Sequence, residues 1–273
     1  MKGPFRRFLL GAQASASRSN RHESHCETAH RSRRASRVAH VPRFRAAEEG
    51  LAAIEFAVAL PVLLLILLAG TQLTLYVDAT RKVDLIAQSI SQMISQSMPP
   101  DNKSIALVDA SDLHFSFDSA LVLFPYLLRD SARQGVAWWE DISINYASIA
   151  FRPKSASCAD SLDMSACYTA NVVWTSTGTA QPQGGPNFRP CGVEQQPADD
   201  AAAPNRATLP RSVYGPASLV VIDVVFTFKP TFGSGLVSPV RIARSAYVQP
   251  RYASLINYDT ANNTGIATKC PGF

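Results

Sequence analysis

The chain beyond residue 50 contains very little histidine. His114 is the single one there, and the other four of five lie in the first fifty residues. A Ser-His-Asp or Cys-His catalytic arrangement would therefore depend on His114, which falls in a segment with helical periodicity. No C-x-x-C pair indicates a zinc site, and no G-x-G-x-x-G or P-loop motif occurs. These absences argue against an enzyme and predict neither a cofactor nor a metal.

Acidic charge is scarce in the first fifty residues. They carry 11 Lys and Arg against 4 Asp and Glu, a net of +7, whereas the remaining 223 residues carry a net of −2. A nucleic-acid interface needs a basic patch on the folded part, so we expect no nucleic-acid partner. Residues 15–40 are rich in Arg, Ser and His and poor in apolar residues, which predicts a disordered leader over 1–50.

Three interpretations of this leader compete: a nucleic-acid arm, a polybasic cytoplasmic flank of a membrane helix, or upstream sequence that is not normally translated. The flank fits best, because Lys and Arg beside a membrane helix hold that end in the cytoplasm. For the third, no Met lies between Met1 and Met93, and a start at Val38 or Val41 would leave a compact leader.

Residues 51–77 read LAAIEFAVALPVLLLILLAGTQLTLYV and contain one charged residue, Glu55. As a helix they would extend for about 40 Å, and about 20 apolar residues suffice to span a bilayer. The alternative is a cleaved secretory signal, but the run is long for one, and Leu68-Ala69-Gly70 is a poor cleavage site for it. The sequence predicts a transmembrane helix over 51–77.

Apolar residues continue at helical spacing beyond this span and predict an amphipathic extension over 78–98, which Pro99-Pro100 ends. The predicted stripe comprises Leu73, Tyr76, Val77, Val83, Ile86, Ala87, Ile90, Met93 and Ile94. Span and extension together predict one continuous helix of about 45 residues, roughly 70 Å long. Its second half should pack on a globular domain.

The segment 43–95 resembles type IV prepilins and pseudopilins, and more closely the TadE/TadG-like proteins of the Tad-type pilus. The features that carry the resemblance are RFRAAEEG, which ends in Gly50, LAAIEFA with Glu55 at the fifth position after the glycine, and the early Pro61. The resemblance implies that a prepilin peptidase cuts after Gly50 and leaves Leu51 as the mature N-terminus.

The resemblance also gives Glu55 a role. In pilins this acid is held to pair with the N-terminal ammonium of a neighbouring subunit, which would favour assembled over isolated subunits and fix their axial stagger. The alternative is an interfacial carboxylate that reaches the cytoplasmic headgroups without a partner. Pro61 lacks an N–H, which frees the carbonyl of Ala57 and predicts a kink there.

With the basic end in the cytoplasm, residues 99–273 are expected as a periplasmic or extracellular domain of a single-pass inner-membrane protein. The four cysteines beyond the leader form an even set in a compartment where disulfides persist. Three pairings are possible. We favour Cys158–Cys167, which closes a short loop, and Cys191–Cys270, which ties a long loop to the C-terminus.

The exported part predicts an α+β fold. A second helix is expected within 111–134, capped by Ser111 or Asp112. Residues 178–212 form a Gly- and Pro-rich loop without regular structure. Strands are predicted at 142–151, 169–177, 218–230 and 239–252. The predicted order of elements is also the pilin-like one: a long N-terminal helix, a second helix and then an antiparallel sheet of about four strands.

The preferred function is a minor pseudopilin-like subunit or assembly factor of a Tad-type pilus. Its expected partners are the inner membrane, a prepilin peptidase, other pilins and pseudopilins, and the Tad secretion machinery. The alternative is an unprocessed single-span protein with a periplasmic binding domain. Trp138 and Trp139, beside Glu140 and Asp141, offer either a sugar-stacking patch or a packed turn into a strand.

Overall fold

In the computed structural model the described residues begin at Glu48. Residues 1–47 of the predicted disordered leader lie outside them, and its last three residues, 48–50, are helical instead. The described ranges are 48–154, 163–176, 188–232, 235 and 237–273. The chain divides into two units, 1–56 and 57–273. The first is described only where helix α1 begins, and the second contains the folded domain.

Helix α1 runs without interruption over Glu48–Ser95 and includes Pro61. Its 48 residues correspond to about 72 Å at 1.5 Å per residue. The long continuous helix predicted from the sequence is therefore present. One further turn, in which Ser97 N donates to Ile94 O at 3.1 Å, precedes the two prolines that prevent the helix from continuing.

The second half of α1 packs with one face in the main core. The buried positions recur every three or four residues and are Ala79, Val83, Ile86, Ala87, Ile90 and Ile94. Each buried aliphatic side chain of Val or Ile size contributes about 1.5–3 kcal/mol. The predicted stripe is confirmed from Val83 to Ile94, except at Met93, which is exposed, as is Leu73. Tyr76 of the predicted stripe is half-buried and Val77 is exposed, while Leu75, which was not predicted, is half-buried against the core.

The second predicted helix is divided into two at a proline. Helix α2 covers Ala110–Leu123 and helix α3 covers Tyr126–Gln134. Pro125 lies between them and has no N–H to donate to the preceding turn, which is why the helical periodicity of 111–134 does not produce one helix. Helix α4, Trp138–Asp141, is a single turn that leads into the sheet.

Asp109 caps α2, and the expectation of Ser111 or Asp112 was wrong. Asp109 Oδ1 accepts from the backbone N–H of Asp112 at 3.0 Å, and Asp112 Oδ2 accepts from the N–H of Asp109 at 3.1 Å. This is a capping box built from two aspartates. It satisfies two backbone donors that the helix itself leaves without acceptors.

The described residues contain nine strands: β1 Ile105–Val108, β2 Ile142–Pro153, β3 Tyr168–Ser176, β4 Gln196–Ala198, β5 Thr208–Pro210, β6 Leu219–Phe228, β7 Val240–Val248, β8 Leu255–Tyr258 and β9 Ala267–Lys269. Five form an antiparallel sheet in the order β7-β6-β2-β3-β9. The α+β class and the four predicted strands are confirmed, and β9 adds a fifth. The pairs β1–β8 and β4–β5 are short parallel ribbons.

The sheet has two buried faces. On the helix face, side chains such as Ile144 and Val224 share one core with α1, α2 and α3. On the loop face, Ile149 and Val172 pack with Leu209 from the segment after β3. An irregularity between Ser148 and Ile149 shifts the β2–β3 register. A sheet covered on both sides explains why its strands read as nearly continuous apolar runs.

The segment 178–212 holds more structure than its composition predicts. Strands β4 and β5 pair within it, so the expectation of a loop without regular structure is wrong for those residues. The hydroxyl of Tyr214 also donates to Gln195 O at 2.7 Å. Burial of Leu209 and Tyr214 against the sheet supplies the stabilisation that local propensity lacks.

A buried ion pair fastens this segment to the loop face. Arg189 Nε and Nη2 donate to Asp223 Oδ2 and Oδ1 at 2.8 and 3.0 Å, and both side chains are buried. Arg189 Nη1 also donates to Gln195 Oε1 at 2.6 Å and to Thr208 O at 3.0 Å. The Ser245 hydroxyl donates to Asp223 Oδ1. Bidentate geometry and further hydrogen bonds offset the cost of burying two charges.

A disulfide provides the covalent connection. Cys191 and Cys270 are bonded across a sequence separation of 79 residues, as expected. In the chain-entropy account, closing a loop of that length stabilises the fold by about 4 kcal/mol. Cys167 is also disulfide-bonded. Its expected partner Cys158 lies outside the described residues, so that pairing stays a prediction.

Replacing Asp223 by asparagine should lower the free energy of unfolding by about 3 kcal/mol, because Arg189 would keep a buried charge without a counter-ion. The double variant Asp223→Asn, Arg189→Met should recover most of the loss. Chemical unfolding of the full chain in detergent, followed by tryptophan fluorescence, measures both. Equal losses in the single and double variants would contradict this account of the pair.

Candidate functional site

The first half of α1 presents apolar side chains to its surroundings. Every position from Ala52 to Leu67 is exposed, including Ile54, Phe56 and Leu63. Among the described residues, α1 is the one helix long and apolar enough to cross a membrane. Because exposed apolar patches of this extent are rare on proteins that stay in water, the segment requires lipid or other apolar helices around it.

The predicted cleavage site lies in the first turn of α1. Gly50 is the third residue of the helix, and Leu51 follows it. The N–H groups of a first helical turn have no acceptors within the helix, and glycine is a poor helix former. Extending this turn into a protease cleft therefore disrupts few interactions.

Glu55 lies in the next turn and is exposed. It makes neither a hydrogen bond nor an ion pair with any other described residue. Glu55 is the fourth residue after Leu51, which corresponds to about 6 Å along the helix axis. Its carboxylate is thus free within the described chain to meet a group from another molecule.

Pro61 lies inside α1, and the helix continues through it. It sits in the exposed part, where no other element of the domain covers it. A missing backbone hydrogen bond at such a position softens the helix locally. The kink itself stays a prediction.

An apolar groove of about 560 Å³ lies where α1 meets the connection between β6 and β7. The helix contributes Leu65, Leu68, Ala69, Gln72, Leu73 and Tyr76, and the opposite wall is formed by Phe228, Pro230, Phe232, Val237 and Val240. Tyr76 packs edge-on against Phe228, with ring centroids 5.7 Å apart. Apolar periodicity in the sequence does not reveal this groove, because its outer wall comes from the connection between β6 and β7.

The comparison with known protein families concerns this same helix. Residues 50–90 match the model of the TadE-like protein family. The resemblance inferred from the sequence is thereby confirmed for this segment, which we call the TadE-like segment. The match supports a pseudopilin-like protein related to the Tad pilus. Comparisons with curated proteins and with solved structures gave no significant match.

On the other side of the β6–β7 connection, the TadE-like segment borders a polar pocket of about 390 Å³. Gln72 Oε1 accepts from the backbone N–H of Thr231 at 3.0 Å and so ties α1 to that connection. Tyr126, Arg129 and Arg133 of α3 line the same pocket. The middle of the TadE-like segment is therefore flanked by an apolar groove and by a pocket to which charged and polar residues contribute.

Two carboxyl groups meet beside the polar pocket. Gln134 Nε2 donates to Asp130 Oδ2 at 2.6 Å and to Asp141 Oδ1 at 2.9 Å. Arg133 Nη2 donates to Asp130 Oδ1 at 2.5 Å and to Lys229 O at 2.7 Å. Burial, followed by the charge of Asp130, raises the pKa of Asp141 to about 7. Sequence spacing gave no sign of this cluster, because α3, α4 and β6 bring its members together.

The remaining candidates from the sequence lie apart from the TadE-like segment. His114 is on α2, and its Nε2 is 2.9 Å from Thr264 Oγ1. Trp138 packs against Phe117 at 5.3 Å and lies nearly perpendicular to Trp139, at 83°. Trp138 is thus partly buried against the core in the turn into β2, whereas Trp139 is exposed there. No cluster of three metal-ligating side chains occurs among the described residues.

The pH dependence of stability should change in the variant Asp141→Asn. The pKa of Asp141 is raised in the folded chain from 3.8 to about 7, so folding favours the protonated form and stability falls as the pH rises through that interval. The variant removes this loss. Its melting temperature should equal that of the wild type near about pH 4 and exceed it at about pH 8.

Thermal unfolding of the full chain in detergent, measured across that pH range, checks this expectation. The matched control is Asp118→Asn, which alters an exposed aspartate on α2. It should leave the pH profile unchanged. A gain in Asp141→Asn that is the same at every pH would show that proton binding at this carboxyl is not involved.

Proposed function

We propose that this protein is a minor pseudopilin-like subunit or assembly factor of a Tad-type pilus. The observation that carries the proposal is that the TadE-like match over residues 50–90 coincides with one continuous helix. That helix is exposed and apolar up to Leu67 and packed into the domain from Ala79 onward. Removal of the leader would leave 223 residues, which is bulky for a repeating fibre unit and favours a minor position.

The proposed topology is a single-pass inner-membrane protein. The leader 1–50 remains in the cytoplasm because of its net charge of +7. Residues 51–77 cross the bilayer, 78–98 extend the helix, and 99–273 lie in the periplasm or outside the cell. The Cys191–Cys270 disulfide supports this orientation, since disulfides persist in oxidising compartments.

The proposed maturation is cleavage after Gly50 by a prepilin peptidase, which creates a free amine on Leu51. Glu55 then pairs with that amine on a neighbouring subunit. A lone carboxylate in a membrane helix costs about 3 kcal/mol on insertion scales. Pairing offsets this cost only when subunits associate, so the acid favours assembly with other pilins and pseudopilins of the Tad machinery. The role proposed is structural rather than enzymatic.

Cleavage should depend on Gly50. After co-expression with a prepilin peptidase, N-terminal sequencing of the membrane-extracted protein should read from Leu51, and Gly50→Val should abolish the cut because its side chain obstructs the extended backbone. The control Gly70→Val lies in the same helix, where an added Cβ meets nothing within 4 Å, and should be cut normally.

A mature N-terminus other than Leu51, or unchanged cleavage of Gly50→Val, would remove the processing step. The unprocessed single-span protein with a periplasmic binding domain would then be the better description. In that case the amine proposed as the partner of Glu55 would not exist.

Assembly should depend on Glu55. The variant Glu55→Gln should be cleaved normally but associate with partner subunits at least tenfold more weakly, about 1.4 kcal/mol or more, because the neighbour's amine loses its counter-charge. Co-purification of two differently tagged copies, and of other pseudopilins, measures this. Asp78→Asn makes the same change at an exposed acid farther along α1. Equal association of the two variants would argue against the ion pair.

A further inference from the structure

The connection between β6 and β7 carries apolar side chains that the domain does not cover. Phe232 is 54% exposed and Val237 is 51% exposed. We call these two residues the apolar tip. Val240, the first residue of β7, is exposed beside them. Turns that face water are normally polar, so two large apolar side chains at one tip indicate a surface that meets something other than water.

The apolar tip is held at a defined height along α1. The hydrogen bond from Thr231 N to Gln72 Oε1 fixes the connection to the helix at 3.0 Å. Phe232 then lines the apolar groove together with Leu65 and Leu68. The tip therefore lies beside a helix wall that extends from Leu65 to Tyr76, and the first part of this wall lies a full turn or more before Gln72.

The first part of this helix wall falls within the hydrocarbon layer of the proposed membrane. A layer about 30 Å thick corresponds to about 20 helical residues. A layer that begins at Leu51 ends near Gly70, and one that begins after Glu55 ends near Leu75. Leu65 and Leu68 are inside it in both cases, and Gln72 is at its outer boundary.

We propose that the apolar tip is a second membrane contact. Phe232 and Val237 enter the outer part of the bilayer beside α1, and lipid acyl chains fill the groove between the tip and the helix. The inference rests on the proposed function in one respect, namely that α1 spans a membrane. It adds that the domain does not stand clear of the bilayer on a stalk but rests on it through this tip.

The charges nearby fit such a position. Arg129, which is exposed on α3, lines the polar pocket beside Thr71 and Leu75, at the height where headgroups begin, whereas Arg133 in the same pocket is ion-paired with Asp130. Lys229, exposed at the end of β6, lies at the base of the same connection. Basic side chains beside an embedded apolar tip are the arrangement expected at a membrane interface, where they meet anionic headgroups.

Lipid is favoured over a second copy of the chain as the occupant of the groove. The tip belongs to the same chain as α1, and the connection that carries it is hydrogen-bonded to the helix through Gln72. Each copy of the chain therefore places its own tip beside α1 whether or not a neighbouring copy is present. A neighbouring helix would have to displace lipid that already surrounds the exposed half of α1.

Spin-label accessibility in the full-length protein tests the proposal. Cys26→Ser removes the leader cysteine, and Val237→Cys introduces the reporter, in vesicles of phosphatidylethanolamine and phosphatidylglycerol. Collision rates are measured with oxygen, which concentrates in lipid, and with a water-soluble nickel chelate. Leu67→Cys is the reference inside the span, 62% exposed, and Val122→Cys on α2 is the reference on the domain, 81% exposed.

The label at 237 should resemble the label at 67, with a nickel collision rate several-fold below that at 122. Phe232→Cys should give the same result independently. Water-like values at 237 and 232 with lipid-like values at 67 would overturn the inference and leave the span intact. Water-like values at 67 would overturn the span as well. Protection from both reagents at 237 would show that a second copy, and not lipid, covers the tip.

Discussion

The packing of the second half of α1 on the helix face of the sheet is the interaction on which the described structure depends. Positions such as Ile86 and Ile90 are completely buried there, within the same core as β2 and β6. One helix without interruption carries both the exposed apolar residues up to Leu67 and this packed half. In the proposed membrane topology, the height of the domain surfaces beside α1 is therefore set by where this helix leaves the apolar layer. The groove and the polar pocket both lie at that point.

The loop face of the sheet is stabilised by different interactions. It is held by a charge pair, a disulfide and short strands instead of by a helix. Arg189 and Asp223 remove two charges from water, and each hydrogen bond around them limits the geometry that the segment 188–214 can adopt. Such networks specify one arrangement strongly but tolerate the loss of a single member poorly. The helix face, by comparison, has many apolar contacts that are individually replaceable.

Sequence patterns predicted those parts of the fold that depend on local periodicity. The length of α1, its end before Pro99 and the four longer strands all follow from apolar spacing and propensity. What the patterns missed depends on contacts between distant segments. The break at Pro125 was missed because the helical periodicity continues on both sides of it. Strand β9 was missed because it is only three residues long. The ion pair was missed because Arg189 and Asp223 lie 34 residues apart. The apolar tip was missed for the same reason, because the position of Phe232 beside the groove wall of α1 depends on a contact between segments that are distant in the sequence.

The position of the Cys191–Cys270 bond has a mechanical consequence. A pulling force applied between α1 and the C-terminus would follow the shortest covalent path, which crosses this bond and bypasses β6, β7, β8 and β9. The residues between the two cysteines, 192–269, could not be drawn out. At roughly 3.5 Å per residue this removes about 280 Å of extension. Strands β6 and β7, which carry the apolar tip between them, would thus be shielded from tension along the chain.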